Sequence, residues 1–254
     1  MLIGREREKE IIDRLKNKNL LTGSFLFFGE PQVGKFSFAD ILTRELEGNP
    51  SVPQERLIIT AGETKIGIDK IREMRRFLRE RPVMSEFRSV IVESADKMTP
   101  EAQNAALKIV EEPPTHALII FIASGSENLL PTLASRLRKL YFPQVKNEEI
   151  VSLLVSEGIS SVKAAQIVQR SFGRPGFALE LASEKKSKSK KDVPQKFASS
   201  EEFETFMKMR LAGLYNDNME KNAALLKKIL KRMVSTLRFN TNKRLQLSAI
   251  PWTR

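Results

Sequence analysis

The chain has 254 residues, of which 41% are hydrophobic and 29% charged, proportions typical of a folded globular protein. It has no cysteine and one histidine, His116, which excludes disulfides, thiolate zinc sites and sites that need two imidazoles. The net charge is +12, and residues 146–254 hold 21 of the 43 basic groups but only 11 of the 31 acidic ones. This excess favours a polyanion or an acidic protein surface as partner.

The amino terminus is charged from Arg5 onward, and the sequence contains no apolar run that approaches the ~18 residues of a membrane span. We therefore expect a cytoplasmic protein with no membrane partner.

Short apolar runs alternate with longer amphipathic segments in the first 145 residues. Near-continuous hydrophobicity suits strands covered on both faces, and helical spacers between them predict a five-stranded parallel α/β sheet. The predicted strands are Phe25–Phe28, Leu57–Thr60, Val90–Val92, Leu118–Ala123 and Leu140–Phe142.

A phosphate-loop pattern follows the first predicted strand. Gly29 and Gly34 allow backbone N–H groups to turn inward, and Lys35 can reach the outer phosphates of a nucleotide. The next position, which normally supplies a hydroxyl to magnesium, is Phe36, and Ser37, where we expect the helix to begin, is one residue late. The pattern predicts a phosphate-loop fold but leaves nucleotide binding open.

The third strand is followed by Glu93 and Ser94, where a working phosphate-loop ATPase carries an acid pair. Serine cannot act as the base that prepares the attacking water, and Glu93 is a longer substitute for the usual first acid. A solvated turn explains Glu93 and Asp96 equally well. Phe36 and Ser94 together predict that this chain does not hydrolyse ATP.

A helix is predicted after Thr99, which is a preferred N-cap residue and is followed by Pro100 and Glu101. The pair Pro113-Pro114 ends this helix. The apolar residues at helical spacing are Ala102, Ala105, Ala106, Ile109 and Val110.

From residue 147 onward the apolar residues fall at helical intervals without strand-like runs, as at Ile150, Leu153, Leu154, Val162, Ala165, Ile167 and Val168. A last helix of this part runs through Ala178, Leu179 and Leu181. Residues 184–198 read as a Lys-rich linker. Helices are predicted again over Phe203–Leu247, with an apolar stripe at Leu225, Leu226, Ile229, Leu230, Met233 and Leu237. We predict four parts: an α/β domain (1–145), a small helical domain (146–183), the linker (184–198) and a helical domain (199–254).

The fourth strand leads to Ser135 and Arg136 through a proline-containing loop. From the residues alone, Arg136 is a surface arginine.

Together these segments resemble the delta-prime subunits of bacterial DNA polymerase III clamp loaders, within the AAA+ superfamily. The resemblance covers most of residues 1–183 and, more weakly, the tail. It is carried by 3–6 (IGRE), the phosphate loop, 68–72 (IDKIR), 95–108 (ADKMTPEAQNAALK), 111–114 (EEPP), 129–132 (LLPT) and Ser135-Arg136. The helix with its EEPP ending is the most specific of these.

The resemblance implies an AAA+ phosphate-loop domain, a helical lid and a helical collar. It implies that Ser135 and Arg136 supply an arginine finger to the ATP site of a neighbouring subunit, although Leu137 stands where the family has cysteine. It also implies partners: the ATPase and delta subunits of the loader, primed DNA within the assembly and, indirectly, the sliding clamp. Many delta-prime subunits have a defective ATP site, as Phe36 and Ser94 imply here.

Three departures from the family stand out. The segment Arg44–Gln54 lacks the family's four-cysteine module, so no zinc is expected. The lid position that carries arginine in active members is Gly176, with Arg174 displaced, which puts a third nucleotide contact in doubt. The tail ends early, and its residues 246–250 faintly resemble a clamp-binding peptide, although a collar helix explains them better.

The function expected from the sequence is a structural subunit of a clamp loader that does not hydrolyse ATP, with residual ATP or ADP binding left open. Two alternatives are kept: an active AAA+ ATPase, such as the motor subunit of the same loader, and a DNA-binding module. The lysines of the linker fit DNA contact or simple solvation.

Overall fold

The computed structural model describes residues 3–47, 55–61, 65–83, 85–183 and Lys227. It contains one sheet of five parallel strands, as the sequence predicts, and each predicted run overlaps one of them. The strands are β1 (Gly23–Phe28), β2 (Arg56–Ile59), β3 (Arg88–Val92), β4 (Ala117–Ala123) and β5 (Arg138–Tyr141). Their order across the sheet is β2-β3-β4-β1-β5.

Helices connect the strands and continue after the sheet. They are α1 (Glu6–Asn17), α2 (Lys35–Glu47), α3 (Ile68–Arg79), α4 (Pro100–Glu111), α5 (Pro131–Ala134), α6 (Asn147–Ser156), α7 (Ser161–Ser171) and α8 (Pro175–Ser183). Two short 3-10 helices, Ala95–Lys97 and Ser126–Asn128, follow β3 and β4. Within the described ranges, every helix is too short or too polar to cross a bilayer.

Helices cover both faces of the sheet, which explains why its central strands β1, β3 and β4 are almost entirely buried. Side chains alternate along β4: Ile119 and Phe121 belong to the core shared with α3, α4 and α5, while Leu118 and Ile120 belong to the core shared with α1 and α2. All seven residues of β4 are buried. The predicted doubly covered α/β sheet is therefore confirmed.

Helix α4 begins and ends where its sequence predicts. The Thr99 side chain accepts a hydrogen bond from the Ala102 N–H at 3.2 Å, and Pro100 occupies the first helical position. The helix ends at Glu111, two residues before Pro113. Of the five apolar residues predicted to face inward, three are buried and two are partly buried against the same core.

Helices α6, α7 and α8 occupy the segment in which helical periodicity was found. The buried residues of α7 are Ala164, Ile167, Val168 and Ser171, at i, i+3, i+4 and i+7. Val162 is 74% exposed, and Ala165 is exposed as well. The helix that their spacing predicts is present, and its buried face is centred on Ala164, Ile167 and Val168.

The predicted linker, 184–198, lies outside the described residues, and so does the predicted helical domain 199–254 apart from Lys227. The four domain boundaries stay predictions.

Candidate functional site

The phosphate loop joins β1 to α2. It lies at the carboxyl ends of the strands, where parallel α/β folds bind ligands. Gly29 has a φ of +141°, and a Cβ there would lie closer to the carbonyl oxygen of Phe142 than van der Waals contact allows. Only glycine fits this point, where the chain leaving β1 passes the end of β5. Gly34 has a φ of +97° and open space around it, so glycine is favoured there by the backbone conformation and not by a close contact.

Lys35 is turned back onto the loop that precedes it. Its ammonium donates hydrogen bonds to the carbonyl oxygens of Gly29 at 2.5 Å and Glu30 at 2.7 Å, and the residue is 7% exposed. Burial lowers the pKa of Lys35 to about 8, while the negative charges of Asp96 and Glu30 oppose this shift. The residue predicted to hold a nucleotide's outer phosphates is thus engaged with its own backbone.

Phe36 packs where a magnesium-binding hydroxyl would be needed. Helix α2 begins at Lys35, two residues earlier than expected, so Phe36 already lies in its first turn. The phenyl ring is partly buried against the core beneath α1 and α2. Ser37 is exposed on the next position of the helix. The residues present therefore do not fit a magnesium ion held by this turn of the loop.

The segment after β3 brings a different carboxylate toward the loop from the one that the sequence singled out. Glu93 continues the sheet by donating its N–H to the Ile59 carbonyl, and Ser94 adopts a left-handed conformation with a φ of +58°. Asp96 accepts a hydrogen bond from Ser124 Oγ at 2.8 Å. The charge of Asp96 is also the largest one favouring the ammonium form of Lys35.

Ser124 links two strand ends, because it follows β4 while Asp96 follows β3. The Asn128 amide in turn donates to Ser124 Oγ at 3.1 Å. Sequence reasoning missed Ser124 and Asn128. The available signal was their position after a buried strand at the ligand-binding edge.

Arg5 contacts the backbone of the phosphate loop. The sequence did not identify it as a site residue. It is 3% exposed, and its Nη2 donates to the carbonyl oxygens of Val33 at 2.6 Å and Pro143 at 2.9 Å. Glu8 lies 3.7 Å from its Nη1. Burial lowers the pKa of Arg5, an effect that the nearby Glu8 carboxylate opposes. Arg5 therefore ties the amino terminus to the phosphate loop and to the chain after β5.

Helix α8 also contacts the phosphate loop. The Gly176 N–H donates to the Gln32 carbonyl at 3.0 Å, and the Gln32 side chain donates to Glu180 at 2.6 Å. Arg174 is buried, donates through Nε to the Ser171 carbonyl and stacks 4.7 Å from the Phe177 ring centroid. Gly176, which stands at the expected lid-arginine position, thus meets the loop through its backbone.

Ser135 and Arg136 lie at the end of α5, just before β5. Ser135 Oγ donates to the Thr132 carbonyl at 3.2 Å. Arg136 donates through Nη1 to the same carbonyl at 2.8 Å and through Nε to the Glu111 carboxylate. The Arg136 side chain is 41% exposed.

Arg136 and the phosphate loop lie at opposite ends of the parallel strands: Arg136 at their amino ends and the phosphate loop at their carboxyl ends. Arg138 begins β5 opposite Phe25, whereas Phe142, which contacts Gly29, follows the end of that strand. Four residue steps separate Arg138 from Phe142, roughly 13 Å along a strand. The structure therefore brings Lys35, Asp96 and Phe36 to the carboxyl ends of the strands and places Arg136 at their amino ends.

The chain is similar in sequence to subunits of DNA polymerase III and of replication factor C. Residues 51–146 match the family described as DNA polymerase III, delta subunit. The DNA polymerase III subunit gamma/tau of Mycobacterium tuberculosis is 30% identical over 181 residues, which are 62% of this chain and 31% of that protein. The match thus spans about a third of the gamma/tau relative. The replication factor C small subunit of Staphylothermus marinus is 28% identical over 234 residues, 86% of this chain and 70% of the relative.

Solved structures show the same fold at low identity. A DNA polymerase III gamma subunit-related protein from Thermotoga maritima has a TM-score of 0.56 at 21% identity, covering 94% of this chain and 96% of that one. The RuvB Holliday junction branch migration motor of Thermotoga maritima has a TM-score of 0.54 at 14% identity, covering 95% and 72%. The chain therefore shares the fold of these proteins, and its residues 51–146 match the DNA polymerase III delta subunit family.

Proposed function

We propose that this protein is a subunit of a bacterial DNA polymerase III clamp loader that does not hydrolyse ATP and that completes the ATP site of a neighbouring subunit with Arg136. The matched family model and the names of the relatives support a role in DNA replication. The assembly would place the sliding clamp on primed DNA. Its other members, the ATPase and delta subunits, are the direct partners of this chain.

The observation that carries the non-hydrolysing part is the packing of Phe36. Hydrolysis in a phosphate-loop ATPase needs a hydroxyl at this position to hold magnesium beside the β- and γ-phosphates. The Phe36 ring has no oxygen and contributes to the core instead. At the third strand end, Ser94 cannot take a proton from water as a carboxylate can. Residual ADP or ATP binding at Lys35 needs the ammonium to leave the carbonyls of Gly29 and Glu30.

The position of Arg136 supports a role in trans. Its side chain is partly exposed and lies at the end of the sheet remote from the phosphate loop of its own chain, which supports contact with a neighbouring subunit. A guanidinium carries a permanent charge and a rigid fork of N–H donors. These groups can donate to the oxygens of a transferring phosphoryl group and stabilise the charge that develops there. Ser135 caps the short helix before Arg136 and belongs to the same turn.

The test is the DNA-stimulated ATPase rate of the loader reconstituted with its partner subunits. It compares the wild type with Arg136→Ala and with Arg14→Ala, a control whose side chain is 75% exposed on α1. An arginine finger contributes about 10³–10⁵ in rate at the site it serves. We expect Arg136→Ala to lower the rate at least about tenfold and Arg14→Ala to leave it unchanged, with the same subunits assembled in all three.

Measurements on the isolated chain separate the two alternatives. Turnover by the isolated chain would identify it as an ATPase in its own right and would contradict the interpretation of Phe36 and Ser94. Tight, steeply salt-dependent DNA binding by the isolated chain, with no effect of Arg136→Ala on its partners, would identify a DNA-binding module.

A further inference from the structure

The Arg136 guanidinium is held by two of its three nitrogens. Nε donates to the Glu111 carboxylate and Nη1 donates to the Thr132 carbonyl at 2.8 Å. Within the described ranges, Nη2 has no hydrogen-bond partner, so both of its N–H groups are available to a ligand. Since the guanidinium is planar and rigid, fixing two nitrogens fixes the direction of the third.

The fold explains why Glu111 stands beside Arg136. Helix α4 begins after the carboxyl end of β3, and its 12 residues rise about 18 Å back toward the amino ends of the strands. Pro113 and Pro114 stop the helix there, so Glu111 lies in its last turn. The turn that carries Arg136 lies at the same amino ends of the strands, just before β5.

We infer that Glu111 is a positioning residue for Arg136: it sets the orientation in which the guanidinium meets the phosphate of a neighbouring subunit. This inference rests on the proposed function. A long, exposed arginine loses side-chain freedom when it engages a ligand, and a partner within its own chain removes part of that loss in advance. Glu111 itself is 45% exposed and is anchored on the helix, so it can hold the guanidinium without burying it.

The test uses the assembled loader and three variants of this chain. Glu111→Ala removes the acceptor, Glu111→Gln keeps an oxygen acceptor without the charge, and Glu112→Ala changes the exposed neighbouring glutamate as a control. We expect Glu111→Ala to lower kcat about tenfold, because small misplacements of a catalytic group are costly. Its KM for ATP should change less than about twofold, because only the transition state needs the oriented guanidinium. Glu111→Gln should recover most of kcat, and Glu112→Ala should match the wild type.

A double variant separates this inference from the proposed function. If Glu111 acts through Arg136, then Glu111→Ala combined with Arg136→Ala loses no more than Arg136→Ala alone. A normal kcat in Glu111→Ala, beside a reduced kcat in Arg136→Ala, overturns the positioning role and leaves the proposed function standing. A rate increase in Glu111→Gln also overturns it, because the carboxylate then restrains Arg136. A normal rate in Arg136→Ala overturns the proposed function itself.

Discussion

Lys35 reaches back along its own phosphate loop and donates a 2.5 Å hydrogen bond to the carbonyl oxygen of Gly29. The contact is buried, and burial holds the pKa of Lys35 at about 8 instead of the ordinary 10.5. The loop is therefore closed on itself by the side chain that normally serves the nucleotide.

The lowered pKa predicts how stability depends on pH. Below about 8 the ammonium is charged in both the folded and the unfolded chain, and its burial cost is fully present. Between about 8 and 10.5 the unfolded chain binds more protons than the folded one, so the free energy of unfolding rises with pH. Urea unfolding of the wild type and of Lys35→Met over this interval measures the effect. The wild type should gain stability relative to Lys35→Met, whereas a constant difference would contradict the burial of a charged Lys35.

Gly29→Ala should destabilise the chain by at least about 1–3 kcal/mol, because alanine is strained at a φ of +141°. Its Cβ would also press on the Phe142 carbonyl, which cannot move without disturbing the end of β5. Gly67→Ala is the matched control: its φ is −85°, and a Cβ there meets nothing within 4 Å. Thermal unfolding of both variants decides the matter. Equal melting temperatures would contradict the close approach at Gly29.

Arg5→Ala should cost about 3 kcal/mol of stability, since it removes two charge-assisted hydrogen bonds and leaves Glu8 buried beside no cation. Denaturant unfolding gives this loss directly. Arg14→Ala removes an exposed ion pair with Glu10 and should cost no more than about 0.5 kcal/mol. If both variants lose the same small amount, Arg5 does not support the phosphate loop as described.

Thr99→Ala should cost about 1 kcal/mol, because the Ala102 N–H at the start of α4 loses its acceptor. Thr99→Ser keeps the hydroxyl and should recover most of that loss. Thr115→Ala changes an exposed threonine in the turn after α4 and serves as the control. Chemical unfolding of the three variants would contradict the capping role if Thr99→Ala and Thr115→Ala proved alike.

Elements defined by local sequence were predictable. The runs in β1, β3 and β4 are apolar because helices cover both faces of the central sheet, and α4 carries its own start and stop signals in Thr99, Pro100 and Pro113. Helix α1 was not assigned, since charged residues dominate it and few of its side chains are buried. In α7 the spacing of apolar residues predicted the helix but not its buried face, because hydrophobic Val162 lies outside the buried stripe.

The candidate site was predictable as a set of positions but not as a set of contacts. The pattern around Lys35 located the phosphate loop, and the absence of a hydroxyl at Phe36 followed from the residue itself. The Arg5 contacts with Val33 and Pro143 join residues 28 and 138 positions apart, so they depend on tertiary structure. The Glu111–Arg136 ion pair likewise joins residues 25 positions apart, which periodicity cannot bring together.

The most direct test of the account is the kcat for ATP of the assembled loader with wild-type chain and with Arg136→Ala. We expect Arg136→Ala to lower kcat at least about tenfold in the presence of DNA, with the composition of the complex unchanged, because the guanidinium is missing from the neighbour's transition state. A kcat within about twofold of the wild type, measured in a complex of the same composition, would contradict the account, because so small a difference leaves no transition-state role for Arg136.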